Sequence, residues 1–480
     1  MIVQASAGTG KSFLLSSFFL WLLLRGKNAK ACAPTGIAAA NIEVEGTAVH
    51  ATTMHNLFNL DTELNTKMDF TNESDPNVKS LERMDVLLAD ECSMMDKDTW
   101  SHIAHILSKV AQRKAKTSTL RNDPFGELHI VLFLDFKQLP PATSKAPFIV
   151  LPDIHDAFDV RVLRQNRRLL KEEDRADEFD KFHGVLSDVS MGRPTQNVKD
   201  FIVEAYVRGA MSKATPNTAK DVPFDGTTAV FTKRRYRDAW NRTVVRRIAK
   251  ERKHTIKIKG VCKPRSAAGR QCFTDQQFER IRRRVRPQCL FNLHLAGDWH
   301  ADAEDAPISG VQHLMRVMLV ANLAVDQRFA NGTQMRVLYW HPRRTDRRNR
   351  PLRATDPELI VRCAKEAALK KPVMYPDIDH MDVMAKLETL QKSRGEPCLL
   401  QLPVVPAYGL TAHKVQSASI KHVVQNCLEG IFAHGHPYTM MSRVTDPKLL
   451  HLIGLPPIDL MDVVAYEWHR AGLCTHSPFT

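Results

Sequence analysis

The chain has 480 residues, 43% hydrophobic and 25% charged, with a formal net charge of +15. Those proportions exclude a disordered or fibrous chain, and the length asks for two or three domains rather than a single core. The basic excess favours a polyanionic partner, either nucleic acid or an acidic membrane surface, while nine cysteines without a Cys-x-x-Cys pair argue for reduced thiols rather than zinc ribbons or disulfides.

In chain order, "MIVQ" reads as a short strand entering the loop "ASAGTGKS" (Ala5–Ser12). The apolar run Phe13–Leu24 is too short to span a bilayer and suits a buried helix starting at that loop. "DVLLADE" (Asp85–Glu91) and "HIVLFLD" (His129–Asp135) are apolar runs ending in acid, the pattern of buried parallel strands with function at their carboxyl ends. Residues 1–150 therefore read as a doubly wound α/β domain. "TTAVFT" (Thr227–Thr232) and "RVMLVANL" (Arg316–Leu323) read as strands of a second α/β unit. Arginines cluster at 280, 282, 283, 284 and 286, and again in Pro342–Arg353, which follows the strand-like "MRVLYWHP" and reads as a hairpin tip. Either cluster could be a solvated face; with the net charge, a nucleic-acid track is favoured.

The loop keeps the pattern G-x-x-x-x-G-K-[ST] except at its first position, where Ala5 stands. Backbone N–H groups of Ala7, Gly8, Thr9 and Gly10 are placed to bind phosphates, Lys11 to neutralise the β- and γ-phosphates, and Ser12 to ligate magnesium. Asp90 is placed to hold magnesium, Glu91 to act as general base on the attacking water, and Gln138 in "LDFKQLPPA" to sense the γ-phosphate. Taken singly, an acid pair or a proline-rich turn is ordinary. Their order along the chain is that of a nucleotide-driven motor.

With "APTGIAAANI" (Ala33–Ile42), "TTMHNLF" (Thr52–Phe58), "DECSMM" and "DFKQLPP", the sequence resembles the petite-integration-frequency (PIF) helicases of superfamily one. "LRQNRR" (Leu163–Arg168), "VMLVANLAVDQRFANGT" (Val317–Thr333), "YGLTAHKVQSASI" (Tyr408–Ile420) and "YTMMSRV" (Tyr438–Val444) extend the resemblance over about Gln4–Val444. It implies an ATP-dependent helicase moving 5′ to 3′ on single-stranded and forked DNA, in repair, recombination or genome maintenance. ATP and Mg2+ would be its cofactors, with no other small-molecule substrate. The implied fold is an α/β P-loop NTPase with two RecA-like doubly wound domains, 1–155 and 156–332 with 402–455. A small Src-homology-three-like β-barrel would be inserted at 333–401, and 456–480 would form a tail. Arg168 and Arg443 would be arginine fingers from the second domain. Pro34, Thr35 and His55 would touch DNA in the first domain, and His413, Lys414 and Gln416 in the second. The resemblance further implies a monomer away from membranes, in nucleus or mitochondrion if eukaryotic and in the cytoplasm otherwise.

Several features depart from the family pattern. Ala5, Leu134 and Ser417 replace glycines, and the family's Gln motif that reads adenine would stand upstream of the first strand, where the sequence either is truncated or leaves base recognition weak. Ala5 is tolerable if its φ is negative, and Leu134 can simply pack. His434 and His436 in "FAHGHP" could suggest a metal, but loop geometry accounts for them better. Retention of Lys11, Asp90, Glu91, Arg168 and Arg443 favours an active ATPase over a DNA-binding protein of the same fold that has lost hydrolysis. A third reading, the helicase part of a rolling-circle transposase, calls for a nuclease domain that this sequence lacks.

Overall fold

A computed structural model describes residues 1–42, 50–61, 63–115, 124–142, 145–169, 173–211, 227–251, 255–259, 261–263, 292–296, 315–323, 329–340, 352–353, 360–365, 380–384, 398–416, 418–421 and 423–454. They form two compact units, one containing Met1–Met211 and the segment from Thr411, the other drawn from Ser212–Leu323 and Phe329–Leu410.

The first unit is built on a parallel sheet. Its strands are β1 (Ile2–Ala5), β2 (Ala29–Ala33), β3 (Ala51–Thr53), β4 (Val86–Ala89), β5 (His129–Leu134) and β6 (Val160–Leu163), in the order β3-β2-β4-β5-β1-β6. All five neighbouring pairs are parallel. Parallel strands need crossovers, and helices cover both faces. On one face α1 (Lys11–Leu24) and α2 (Gly36–Ala40) bury Leu15, Phe19, Leu22 and Ala38 against Val3, Leu88 and Phe133. On the other, α4 (Pro76–Glu82) and α5 (Lys97–Ala115) bury Val78, Leu81, Trp100, Ile103 and Leu107 against Ile2, Leu87 and Leu132. Each large apolar side chain so buried contributes about 1.5–3 kcal/mol. The short α3 (Met54–Leu57) follows β3, and α6 (Pro152–Ala157) precedes β6.

The run Phe13–Leu24 is helical as expected but is not a buried helix. Lys11, Leu15, Phe19 and Leu22 are its buried positions, whereas Phe13 and Leu24 are each 79% exposed and Trp21 is 50% exposed. The stretch is apolar around its whole circumference, so its sequence carries no periodicity to mark the inner face.

The unit continues through α7 (Ala176–Ser190) and α8 (Gln196–Met211), joined by the Phe182–Phe201 ring contact at 4.9 Å. The second unit holds β7 (Thr227–Phe231) and α9 (Arg234–Glu251), packed through Phe231 and Trp240. Beyond them lie β8 (Thr255–Lys259), β9 (Val261–Lys263) and β10 (Asn292–Ala296), then β11 (Arg316–Leu319), β12 (Gln334–Trp340) and β13 (Leu352–Arg353). These are followed by β14 (Ile360–Lys365), β15 (His380–Met384), β16 (Cys398–Leu400), β17 (Val404–Pro406) and β18 (Gly409–Thr411). β12, β14 and β15 share one antiparallel sheet with β11 and β17, in the order β15-β14-β12-β11-β17. β13 and β16 instead pair with β8 and β9. A closed barrel confined to 333–401 is therefore not established among the described residues.

The chain then returns to the first unit with α10 (Ala412–Val415), β19 (Val423–Cys427), α11 (His436–Met441) and β20 (Leu450–Ile453), the last parallel to β19. Among the described residues no helix is long and apolar enough to cross a membrane.

Candidate active site

Three parallel strands deliver polar groups to one edge of the first sheet, as the carboxyl ends of such strands commonly do. β1 ends at Ala5, which is buried in extended strand backbone and is not among the positive-φ residues. The tight position comes later. Gly8 has φ +84°, and a Cβ there would lie 2.7 Å from both the Arg168 Cβ and Asn166 Oδ1. The Gly8 carbonyl accepts the Arg168 N–H at 3.0 Å, and Asn166 Nδ2 donates to the Ala7 carbonyl at 3.3 Å. The segment after β6 thus clamps the loop that precedes α1.

Asp90 and Glu91 follow β4. Glu91 has φ +51°, uncommon for a residue with a side chain. Its N–H donates to Asp90 Oδ1 at 2.8 Å, which holds that conformation and turns both carboxylates towards Lys11. Lys11 Nζ lies 3.0 Å from Asp90 Oδ1 and 2.9 Å from Glu91 Oε1, and all three side chains are buried. Burial alone would discharge the ammonium; the two carboxylates outweigh it and hold Lys11 above its usual range. Burial pushes Asp90 upward, with Lys11 opposing. Ser12 Oγ donates to Asp90 Oδ2 at 3.3 Å.

Leu134 ends β5 fully buried in the core, so its bulk simply packs. Asp135, next along, is fully buried and accepts from Gln138 Nε2 at 2.9 Å, the Lys137 N–H at 3.1 Å, and Gln4 Nε2 and Tyr438 Oη at 3.4 Å. Tyr438 Oη also accepts the Ala7 N–H at 2.8 Å, tying α11 to the glycine loop. Burial raises Asp135 and Tyr438 above their ordinary ranges. Gln138 Oε1 is buried and has no hydrogen-bond partner among the described residues.

A cavity of about 350 Å³ lies at this edge, with Gly8, Lys11, Ser12, Glu91 and Gln138 on its walls and Arg168, Ser419 and Arg443 among its other lining residues. Arg168 donates to the Ser442 carbonyl at 2.7 Å, and Arg443 to Ser442 Oγ at 2.7 Å. Arg443 is fully buried and Arg168 half-buried, and burial lowers both guanidinium pKa values, with Arg168 lowering Arg443 further. Neither arginine has a carboxylate within ion-pair distance among the described residues. Two desolvated like charges facing a cavity, opposite a lysine, suit a bound polyanion. Ser12 and Asp90 are hard oxygen donors and suit Mg2+, which takes few protein ligands and fills its shell with phosphate and water. Among the described residues no group of three or more His, Cys, Asp and Glu is placed to hold a metal.

Residues 1–200 match the PIF1-like helicase family model. Over that stretch the chain is similar to the PIF1-like helicases. It is 28% identical over 212 residues to the ATP-dependent DNA helicase Pif1 of Bdellovibrio bacteriovorus, covering 42% of each chain. It is 32% identical over 149 residues to the ATP-dependent DNA helicase PIF1 of Candida albicans, covering 30% of this chain and 15% of that one. The matches thus span less than half the length of these curated relatives. The fold is that of the solved Pif1 helicase from Candida albicans, with a TM-score of 0.64 at 18% identity over 98% of this chain and 95% of that one. Bacteroides Pif1 in complex with ADP-AlF3 and ssDNA gives 0.56 at 18% identity, over 99% and 93%.

The residues expected to touch DNA fall into two groups. Pro34 and Thr35 follow β2, and His55 lies just past β3; the parallel register Ala33↔Thr53 sets them at the same sheet edge. Thr35 caps α2 by accepting the Ala38 N–H at 3.3 Å, while His55 is exposed. His413 and Lys414 lie half-buried on α10, with the His413 ring stacked on Phe432 at 6.4 Å and edge-on to His436 at 5.8 Å. Gln416 is buried, and among the described residues neither amide atom has a hydrogen-bond partner. Loop geometry explains the "FAHGHP" segment. Gly435 has φ +75° and a Cβ there would meet the Gln138 carbonyl oxygen at 2.5 Å, while His436 Nδ1 lies 2.9 Å from the Ala433 carbonyl. Ser417, the arginines at 280–286 and most of 342–353 lie outside the described residues.

Sequence reasoning missed Asn166 as a clamp on the loop, Tyr438 Oη as a partner of Ala7, and Phe13 and Ser419 as cavity-lining residues. Phe13 carried a signal, since an aromatic directly after Lys-Ser sits at the mouth of a phosphate loop. The other three gave none, because their partners lie far away in sequence.

Proposed function

We propose that the chain is an ATP-dependent DNA helicase that acts on single-stranded and forked DNA and moves 5′ to 3′. The observation that carries this reading is the cavity bounded by Lys11 and Glu91 and by two arginines without carboxylate partners. ATP phosphates would lie on the N–H groups of the glycine loop, with Lys11 against the β- and γ-phosphates. As the phosphate takes Lys11, Glu91 Oε1 gives up its contact with that cation and can accept a proton from the attacking water. Gln138 orients that water through its unpaired oxygen, and Arg168 and Arg443 stabilise charge on the transferring phosphoryl group. Ser12 and Asp90 would hold Mg2+, which supplies charge neutralisation at the phosphates.

The two RecA-like domains with an inserted barrel belong to the same proposal, as do repair or recombination as the setting and action as a monomer. So does residence in a eukaryotic nucleus or mitochondrion, or otherwise in the cytoplasm. The test is unwinding of a forked duplex carrying either a 5′ or a 3′ single-stranded tail, with and without ATP. ATP-dependent strand separation only from the 5′ tail is expected. DNA binding without ATP turnover would instead identify a binding protein that has lost hydrolysis.

A further inference from the structure

The outer surface of the first unit, away from the nucleotide cavity, carries an apolar ridge beside a cationic groove. Leu14, Trp21 and Leu24 on α1 are 41%, 50% and 79% exposed, and Trp21 is braced by the Phe18 ring at 5.8 Å and the Arg25 guanidinium at 5.4 Å. Exposed apolar surface of this kind on a soluble face marks an interaction site. At the carboxyl end of α1 the ridge reaches a groove of about 410 Å³ whose lining includes Leu23, Lys30, Pro76, Lys79, Arg83 and Met84. The nearest carboxylates are already engaged. Glu82 pairs with Arg113, and Asp85 pairs with Lys114 and accepts the Asn28 N–H. Lys30 donates to Ser80 Oγ at 2.8 Å, and neither it nor Lys79 or Arg83 has a carboxylate partner among the described residues.

We propose that this surface docks an acidic amphipathic segment of another protein, its apolar side on Trp21 and Leu24 and its carboxylates on Lys30, Lys79 and Arg83. Charge complementarity selects the occupant. Residues 1–42 contain no Asp or Glu, so a second copy meeting this ridge with its own ridge would bring further cations to Arg25, Lys27 and Lys30 and no acid from that stretch. A nucleic-acid backbone matches the groove but leaves the apolar ridge in contact with phosphates, at a cost in desolvation. A membrane surface has nothing to insert into a concave groove, whereas a linear segment fills one while laying anchors along a helix ridge.

The test uses the full chain and a fluorescent helical peptide of about 16 residues, with leucines on one face and glutamates on the other. Anisotropy should show saturable micromolar binding. Trp21→Ser with Leu24→Ser should weaken it about tenfold or more, and so should Lys79→Glu with Arg83→Glu, while ATP turnover stays unchanged. The charge-reversed protein should gain affinity for the matching leucine–lysine peptide, which a variant that merely unfolds cannot do. No saturable binding of the acidic peptide below about 1 mM, or binding that ignores both double variants, would overturn the proposal. It would also be overturned if those variants instead abolished binding of duplex DNA or of phosphatidylglycerol vesicles, or dissolved a dimer seen by sedimentation.

Discussion

The two sets of charged residues around the nucleotide cavity differ in how their charges are balanced. Lys11 is neutralised by two carboxylates within 3.0 Å, so that cluster is complete within the protein. Among the described residues Arg168 and Arg443 hold only a carbonyl, a hydroxyl and weak contacts to Val415 and Ala418 at 3.5 Å. On the proposed function, ATP rearranges the Lys11 cluster and completes the arginines. A buried cation among carboxylates and a buried cation without them should therefore respond in opposite ways to the same substitution.

The largest expected effect is from Lys11→Met. It leaves two buried carboxylates without their cation, and breaking a buried pair on one side costs about 3–5 kcal/mol. Denaturant unfolding should show that loss together with abolished ATP turnover. If stability is unchanged, the Lys11 cluster is not the internally completed charge group described here.

Next comes acid. His436 on α11 is fully buried, and burial, then His413 and His434, pull its pKa down to about 4 from the usual value near 6.5. The unfolded state takes the proton first. Stability is therefore full above about pH 6.5 and falls as the pH drops towards 4, by up to roughly 3 kcal/mol. His436→Gln should flatten that slope in urea titrations. Because α11 also carries Tyr438 and leads directly to Arg443, the acid loss should be accompanied by loss of ATP turnover.

Arg443→Met gives the reverse of Lys11→Met. Replacing an unpaired buried charge by an apolar side chain of similar length is neutral or stabilising, within about 1–2 kcal/mol, while turnover should fall about 100-fold. Melting temperature and ATPase rate, measured on the same preparation, separate the two effects.

The smallest effect is expected at Ala5. Its extended backbone needs no glycine, so Ala5→Gly should only add unfolded-state entropy, costing about 0.5–1 kcal/mol of stability with ATP affinity unchanged. A tenfold gain in ATP affinity would show that the methyl impairs the loop.

Much of the Lys11 cluster is legible in the sequence, because Asp90 and Glu91 directly follow an apolar run, Lys11 stands in a glycine loop entered from another, and Gln138 lies in the turn after a third. The arginines were legible solely through ordered motifs, since nothing local says that Arg443 reaches the phosphate loop. Tyr438 shows the limit most clearly. Its hydroxyl meets the Ala7 N–H across a sequence separation of 431, and no periodicity encodes such a pairing. The faces of α1 were hidden for another reason. A helix apolar on every side buries what the sheet covers, and only the fold reveals that Trp21 and Leu24 were left outside.

On the proposed function, Lys11, Asp90 and Glu91 together with the two arginines hydrolyse ATP when DNA is bound. Steady-state ATPase measured with and without single-stranded DNA, for the natural protein and Glu91→Gln in parallel, tests it most directly. The expected result is DNA-stimulated turnover in the natural protein and at least about 100-fold slower turnover in Glu91→Gln, with ATP binding retained. Turnover in Glu91→Gln equal to that of the natural protein, or no turnover by either with DNA present, would contradict it.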